Sequence, residues 1–289
     1  MAIESKTERR RPQLIPWGQL AEVPWWAVII LLVGVLIVYF IFTAPAYTDA
    51  FLFLTAGLRL TVTVTVISFG LALILGLIAG LGRVSKNTVI YTLASLYVEV
   101  IRGIPMLILI IYFAYVVTPL AVDLLNGLGS AMLGRVSADY LVAWGNSLAE
   151  LNIQDVDLRV RAIAGLAFGY GAYEAEVFRA GIESITRGQM EAARSLGMSY
   201  FQAMRYIILP QAIRRVLPPF GNDFISMLKD SSLISVLAVR DLTHLGKLNR
   251  ARTFRTFETW NTVAFLYLSM TLLLSLLVRA LERRMAVEE

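Results

Sequence analysis

The sequence predicts an all-α integral membrane protein, a polytopic bundle of about six transmembrane helices. Of its 289 residues, 57% are hydrophobic and 16% are charged, whereas a soluble domain carries about 25% charged residues. The charges are also segregated along the chain. Four segments without charge are each close to the ~20 apolar residues with which a helix crosses a bilayer: 23–48, 60–82, 103–122 and 259–278. Charged residues interrupt two further candidate spans, 163–182 and 216–239.

The first element is an additional amino-terminal helix that follows a basic tail. Lys6 and the run Arg9–Arg11 place residues 1–22 in the cytoplasm, because basic residues favour that side of a membrane protein. The apolar stretch that follows is longer than the roughly 7–15 residues of a cleaved signal core. It therefore predicts a retained transmembrane helix over residues 23–48. The loop 43–55 lacks Lys and Arg, and we expect it on the outer side.

The second span contains the sequence TVTVTV, whose period of two is typical of a strand. An isolated strand leaves its backbone unpaired in lipid, so we expect a helix. Gly76 and Gly80 in this span form a GxxxG pair, and Gly165 and Gly169 form another; this spacing lets helices approach closely. We favour packing within one chain for both pairs, with contact between subunits as the alternative.

The third span leads into a moderately polar segment, residues 119–161, which the topology places outside. Its hydrophobic spacing is compatible with short interfacial helices, and it indicates an insertion instead of a separate domain. The segment is either a structural cap or a docking surface for an external partner.

The remaining basic residues mostly follow the same topology. Arg83 and Lys86 follow the second span, and further arginines place the segments after the fourth and sixth spans in the cytoplasm. Residues 240–255 differ, because they hold five Lys or Arg residues yet fall outside, where these charges could meet an acidic partner surface. This segment also holds His244, the chain's one histidine, which we expect to be solvated. Without cysteine or a second histidine, thiolate and multi-histidine metal sites are excluded.

The most informative stretch is short and polar, residues 188–210, between the fourth and fifth spans. Gly197 is well placed to end a helix, since glycine readily adopts the left-handed conformation found there. Ser199 and Gln202 have the spacing of a capping box, which starts a new helix. The residues therefore predict two short helices joined at a glycine on the cytoplasmic face. By themselves they leave open whether this is an interfacial loop or a docking element.

Polar residues inside membrane spans are costly and usually functional. Glu99 and Arg102 lie three residues apart, as do Glu176 and Arg179, so we expect each pair to neutralise itself on one helix face. The Pro218–Pro219 pair is predicted to interrupt the fifth span. The polar residues that follow indicate a water-accessible pathway, or else groups that only hold the bundle or a partner subunit in register: Asn222, Asp223, Lys229, Asp230, Ser231 and Ser232.

An ordered series of motifs runs through residues 57–285. Glu191-Ala192-Ala193 is followed by Gly197 and by Leu209-Pro210; RGIP stands at 102–105, AY at 172–173, LPQAIRRVLPPFGNDF at 209–224 and LKDSSL at 228–233. In these motifs the chain resembles the permease subunits of polar amino-acid ABC importers, the binding-protein-dependent transport family with the EAA loop. Two features depart from the family pattern: Ile104 stands where threonine is usual, and simpler members lack the first span.

The resemblance implies a type I ABC importer transmembrane domain over residues 56–285, with a cytoplasmic coupling loop at 183–205 that docks on an ATPase. The residues it implies for ATPase coupling are Gly188, Glu191, Ala192, Ala193, Gly197, Leu209 and Pro210. The candidates for the translocation pathway are Glu99, Arg102, Pro105, Tyr173, Glu176, Asn222, Asp223, Lys229, Ser231 and Ser232.

The implied assembly lies in the bacterial cytoplasmic (inner) membrane, with both termini of this chain in the cytoplasm. It contains a second permease subunit, identical or homologous, two ATPase subunits inside and a solute-binding protein outside, all in contact with membrane lipid. None of the four lysines lies in a G-x-x-x-x-G-K-[ST] motif. We therefore expect no cofactor and no enzyme activity in this chain, with ATP and Mg²⁺ used by the partner ATPase. The net charge of +5 does not indicate nucleic acid, since the basic residues flank the spans.

The predicted function is therefore that of a permease subunit that moves polar amino acids across the membrane by alternating access, driven by a separate ATPase. The alternative is an ion-coupled secondary transporter or channel that uses the buried carboxylates. A membrane-embedded enzyme is disfavoured, because the sequence has no paired catalytic carboxylates, nucleophile triad or metal cluster. Which amino acid is carried stays open, since much of the selectivity in such importers belongs to the binding protein.

Overall fold

The computed structural model describes residues 25–133 and 139–285, and the predicted cytoplasmic tail, 1–22, lies outside them. Every regular element in the described ranges is helical, as the sequence predicts. Four helices are long and apolar enough, by length and composition, to cross a membrane, and they overlap the four charge-free segments. Of the two spans predicted to contain charge, 163–182 lies within one long helix, whereas 216–239 begins in a long helix and extends beyond its end.

The first two helices, α1 (Trp25–Thr43) and α2 (Pro45–Arg83), follow one another almost without a break. α1 is the predicted additional helix; Ile41 is its one buried residue, and it packs at the edge of the bundle against α2 and the last helix. The predicted loop 43–55 is wrong, because only Ala44 separates the helices. Proline fits the first turn of a helix, where its missing N–H costs no hydrogen bond, so Pro45 starts α2 at once.

A separate helix, α3 (Thr88–Arg102), precedes the predicted third span and carries Glu99 and Arg102. Asn87 starts it, because its Oδ1 accepts the backbone N–H of Val89 at 2.9 Å. The chain bends at Gly103 and continues from Pro105 into α4 (Met106–Tyr112). Two helices, α3 and α4, thus meet at a bend where the sequence predicts the start of the third span.

A π-helical turn joins α4 to α5 (Thr118–Leu133), which forms a hairpin with α6 (Asp139–Ala149). The two helices are antiparallel and meet at glycines: a Cβ on Gly129 would lie 2.5 Å from the backbone nitrogen of Ala149. Residues 119–161 thus hold a helical hairpin, but its first helix continues the third span, since Met106–Leu133 is together long and apolar enough to cross a membrane.

Helix α7 (Leu158–Glu183) is the centre of the bundle and packs along α2. A Cβ on Gly76 would lie 2.5 Å from Cβ of Glu174, and one on Gly165 would lie 2.9 Å from Cα of Ile110 on α4. Both GxxxG pairs therefore serve packing within this chain, as predicted.

The segment after α7 contains α8 (Arg187–Ser195), α9 (Tyr200–Ala203) and α10 (Leu209–Asp230). The predicted interruption at Pro218–Pro219 is wrong, since both prolines stand inside α10. Proline fixes φ at a helical value, and α10 packs against both α7 and the last helix, which compensates for the lost backbone hydrogen bonds. The helix instead gives way to a 3₁₀ segment, Ser231–Leu237.

Residues 240–255, expected as a loop, form α11 (Leu242–Thr253), and the chain ends in α12 (Thr256–Met285). Asp241 caps α11 by accepting the backbone N–H groups of Thr243 and His244 at 3.0 and 2.9 Å. His244 is half-buried, and its Nδ1 has no hydrogen-bond partner among the described residues. The expectation of a solvated histidine is therefore wrong, because α11 packs against α2 and α12.

Candidate functional site

The polar stretch after α7 ends its first helix as the sequence predicts. Gly197 has φ of +83°, the left-handed conformation that glycine adopts without steric cost. Its N–H donates to the carbonyl of Arg194 at 3.0 Å, and the N–H of Met198 donates to that of Ala193 at 3.1 Å. These two bonds form a Schellman motif, which satisfies carbonyls at the end of α8.

The capping box that starts the next helix is also present. The Ser199 hydroxyl accepts the N–H of Gln202 at 3.2 Å, and the Gln202 side chain accepts the N–H of Ser199 at 2.8 Å. This second helix is not short, however: α9 passes through a π-helical turn directly into α10. Pro210 lacks an N–H and crowds the preceding turn, so the wider π turn just before it lets the helix continue.

The loop residues divide into a buried and an exposed face. Ala193 is buried, and Met190 and Met204 pack against an apolar cluster at the ends of α7 and α10 that includes Ile182 and Ile208. Gly188, Glu191 and Ala192, predicted to take part in coupling, lie on the exposed face of α8.

Two large apolar side chains beside Gly197 were not predicted to matter. Leu196 is 84% exposed and Phe201 is 71% exposed. The sequence pattern does not indicate either residue, because their exposure depends on the conformation of the turn at Gly197. A Cβ on Gly197 would meet no other atom within 4 Å, so the surface between them is open.

A network of ion pairs links the carboxyl-terminal parts of α2, α3 and α7. Arg83 is at its centre, with Nη1 3.0 Å from Glu176 and Nη2 3.2 Å from Glu99. Arg179 pairs with both Glu176 and Glu183. The predicted Glu176–Arg179 pair is confirmed, whereas the Glu99–Arg102 pair is wrong, since Glu99 binds a residue of another helix.

Arg102 lies instead over the ring of Tyr173, with 5.4 Å between the guanidinium carbon and the ring centroid. This distance is within the range of a cation–π interaction. Pro105, another pathway candidate, stands at the start of α4 close to this contact in sequence. The structure therefore groups four candidates, Glu99, Arg102, Tyr173 and Glu176, at one end of the bundle.

The other candidates lie along α10 and the 3₁₀ segment. Asn222 and Lys229 are seven residues apart and exposed, Asp223 and Ser232 are half-buried, and Ser231 is buried and donates to a backbone carbonyl. They form a second group, separate along the chain from the ion-pair network.

Sequence reasoning missed Glu174, a fully buried carboxylate on α7. Glu174 is 0% exposed, and neither of its carboxylate oxygens has a hydrogen-bond partner among the described residues. On the same face of α7, Tyr170 donates to Asp230 of α10 at 2.8 Å. Only the i, i+4 spacing of Tyr170 and Glu174 would have indicated that both face α10 and α2.

Comparison with known proteins gives matches over most of the chain. A family model described as binding-protein-dependent transport system inner membrane component matches residues 72–287. The glutamine transport system permease protein GlnP of Escherichia coli (strain K12) is 34% identical over 234 residues, which are 81% of this chain and 93% of that protein. The probable amino-acid permease protein YxeN of Bacillus subtilis (strain 168) is 34% identical over 82% of this chain and 93% of its own length.

A solved structure is similar in fold as well as in sequence. The crystal structure of an amino acid ABC transporter with histidines aligns with a TM-score of 0.63 and 35% sequence identity. The alignment covers 82% of this chain and 95% of that chain.

Proposed function

Because the chain belongs to the family of binding-protein-dependent transport system inner membrane components and is the permease subunit of an ABC importer, we propose that it carries polar amino acids into the cell. Similar proteins named for glutamine and amino-acid transport support this class of cargo. A pathway with charges of both signs also suits a zwitterion, which carries an ammonium and a carboxylate.

The observation that carries the mechanism is the exposed apolar pair Leu196 and Phe201 on a polar loop. Large apolar side chains left together in water mark a surface that a partner covers, and aromatic residues are enriched in interfaces. We infer that this pair, with Glu191 on the exposed face of α8, docks into the ATPase subunit. Residues 183–205 are then the coupling loop.

The buried face of the loop explains how docking would move the membrane helices. Met190 packs α8 against the apolar cluster at the ends of α7 and α10, and Ala193 on the same helix is buried. Cores of this kind are close-packed and transmit displacement instead of absorbing it. A movement of α8 with the ATPase would therefore shift α7 and α10 together and alternate access to the pathway.

The pathway in this proposal runs from the outer polar group to the cytoplasmic network. Asn222, Asp223, Lys229, Ser231 and Ser232 would contact the cargo or the water around it, and Pro105 would set the bend between α3 and α4. Glu99, Arg102, Tyr173 and Glu176 would form the inner end, where the ion pairs of Arg83 hold three helices together.

The complete transporter would hold a second permease subunit, two ATPase subunits on the cytoplasmic side and a solute-binding protein outside. ATP and Mg²⁺ would be bound by the ATPase subunits, and both termini of this chain would be cytoplasmic. The basic helix α11 would then face outward, where an acidic surface of the binding protein could meet it.

A double variant, Leu196→Ala with Phe201→Ala, tests the docking. Because both side chains are exposed, the permease should keep its thermal stability while its affinity for the ATPase falls at least about tenfold, since truncated interface anchors each cost about 1–2 kcal/mol. ATPase affinity is measured by biolayer interferometry on the purified permease.

The matched control is Leu276→Ala with Leu277→Ala on α12, which removes side chains that are 63% and 62% exposed on another surface. The control should bind the ATPase normally. Normal ATPase affinity in the Leu196/Phe201 variant would refute the proposed docking surface.

A further inference from the structure

An open cleft lies at the cytoplasmic end of the bundle, beside the coupling loop. Its volume is about 620 Å³, between the turn after α2 and helix α8. A second cleft of about 690 Å³ adjoins it, and the two share Ser85, Met190 and Tyr200 in their walls. Together they form one depression, which we call the α8 cleft; Leu196, Phe201 and Glu191 of the proposed docking surface do not line it.

The floor of the α8 cleft is apolar. Ile182, Ile185 and Ile208 are buried beneath it, and Met204 is half-buried. A floor of this kind has no donors or acceptors with which to hold a small polar solute. It instead suits a ligand with an apolar part.

The free charge around the α8 cleft is positive. Lys86, Arg187 and Arg194 line it and are exposed, and their side chains form no hydrogen bond or ion pair with another described residue. The other charged residues of the wall are already engaged: Arg83 pairs with Glu99 and Glu176, and Glu183 pairs with Arg179. The cleft therefore presents three cations above an apolar floor.

One wall of the α8 cleft reaches the lipid-facing surface. Tyr91 lines the cleft and belongs to α3. On the same helix Val89, Ile90 and Leu93 are 66%, 49% and 63% exposed. Exposed apolar patches of this kind suit contact with a membrane or a protein, and on this membrane-spanning chain we place acyl chains against them, at the mouth of the cleft.

We propose that the α8 cleft binds an anionic phospholipid, with the phosphate on Lys86, Arg187 and Arg194 and the upper part of an acyl chain on the isoleucine floor. Basic pockets between helices on the cytoplasmic side are suited to anionic headgroups, and Arg and Lys are the usual partners of phosphate. Inorganic phosphate shares the charge but would leave the apolar floor uncovered. The assignment rests on the proposed function only in placing this end of the bundle in the cytoplasm.

Lipid binding to the intact permease–ATPase complex tests this proposal by native mass spectrometry, with added phosphatidylglycerol or phosphatidylcholine. The wild type should retain phosphatidylglycerol preferentially. A basic residue near an anionic surface strengthens binding about fivefold, so removing two of them in Lys86→Gln with Arg187→Gln should weaken binding about 25-fold. Arg283→Gln, which removes a cation of α12 that does not line the cleft, is the matched control and should bind normally.

Three results would overturn the proposal: equal retention of both lipids, unchanged binding in the Lys86/Arg187 variant, or displacement of phosphatidylglycerol by millimolar inorganic phosphate. The last result would show a simple anion site. This readout is independent of transport, so a failure here with intact ATP-driven uptake would refute the lipid site alone. Lipid binding without ATPase docking at Leu196 and Phe201 would refute the proposed coupling surface alone.

Discussion

The seam between α2 and α7 allows a matched test of packing, with Gly76→Ala as the perturbation. A methyl group at this position would lie 2.5 Å from Cβ of Glu174 and 3.0 Å from the backbone nitrogen of Ala175, whereas ordinary contacts begin at 3.4 Å. Because a backbone atom is among the neighbours, no side-chain rotation removes the clash. The two helices must separate by about 1 Å, and overpacking of this kind costs about 1–3 kcal/mol.

Gly70→Ala is the control, since it lies on the same helix and a methyl group there meets no atom within 4 Å. Both variants gain the same helix propensity, about 1 kcal/mol for Gly to Ala. Their difference therefore isolates the steric cost. Thermal unfolding of the purified permease should place Gly76→Ala roughly 2–12 °C below Gly70→Ala. Equal unfolding temperatures would refute the close approach of α2 and α7.

Three further predictions concern the coupling loop, the ion-pair network and the cap of α7. Gly197→Ala should destabilise the loop by about 1 kcal/mol, because φ is +83° there. Gly188→Ala, at an exposed position of α8, should not destabilise the loop, and the rate of proteolysis of the loop measures the difference between the two variants. Arg83→Gln should lower stability by about 1–2 kcal/mol in a denaturant titration, since it removes two charged hydrogen bonds, and Arg102→Gln should cost less than half of this. Asp157 caps α7, and hydrogen bonds from Arg159 lower the pKa of its carboxyl group from 3.8 to about 2. The carboxylate therefore contributes stability above about pH 4 that is lost as the pH falls towards 2. Asp157→Asn should remove this part of the acid transition in thermal melts.

The membrane spans could be predicted because segregation of charge is a property of the sequence alone. Gly197 and the Ser199 capping box could be predicted for a similar reason, since both act within a few residues. The prediction of a loop at 43–55 is wrong because Pro45, which fits the first turn of a helix, starts α2 directly after Ala44. At Pro218–Pro219 the breaking tendency of proline was overruled by packing on both sides of α10.

The pairing of charges required the three-dimensional structure. The i, i+3 spacing of Glu99 and Arg102 predicts a pair, but Arg83 comes from another helix and binds Glu99 instead. The spacing of residues along one helix indicates only partners on that helix. It does not indicate Arg83, which packing of α2 against α3 brings to Glu99. The same limit hid the burial of Glu174 and the exposure of Leu196.

The central claim is that transport through this chain is driven by a separate ATPase at the coupling loop. Uptake of radiolabelled amino acids into proteoliposomes tests it most directly, with the permease alone, with ATPase subunits, and with ATPase subunits and the Leu196/Phe201 double variant. We predict uptake only when wild-type permease, ATPase, binding protein and ATP are all present. Uptake by the permease alone, driven by an ion gradient without ATP, would contradict the account.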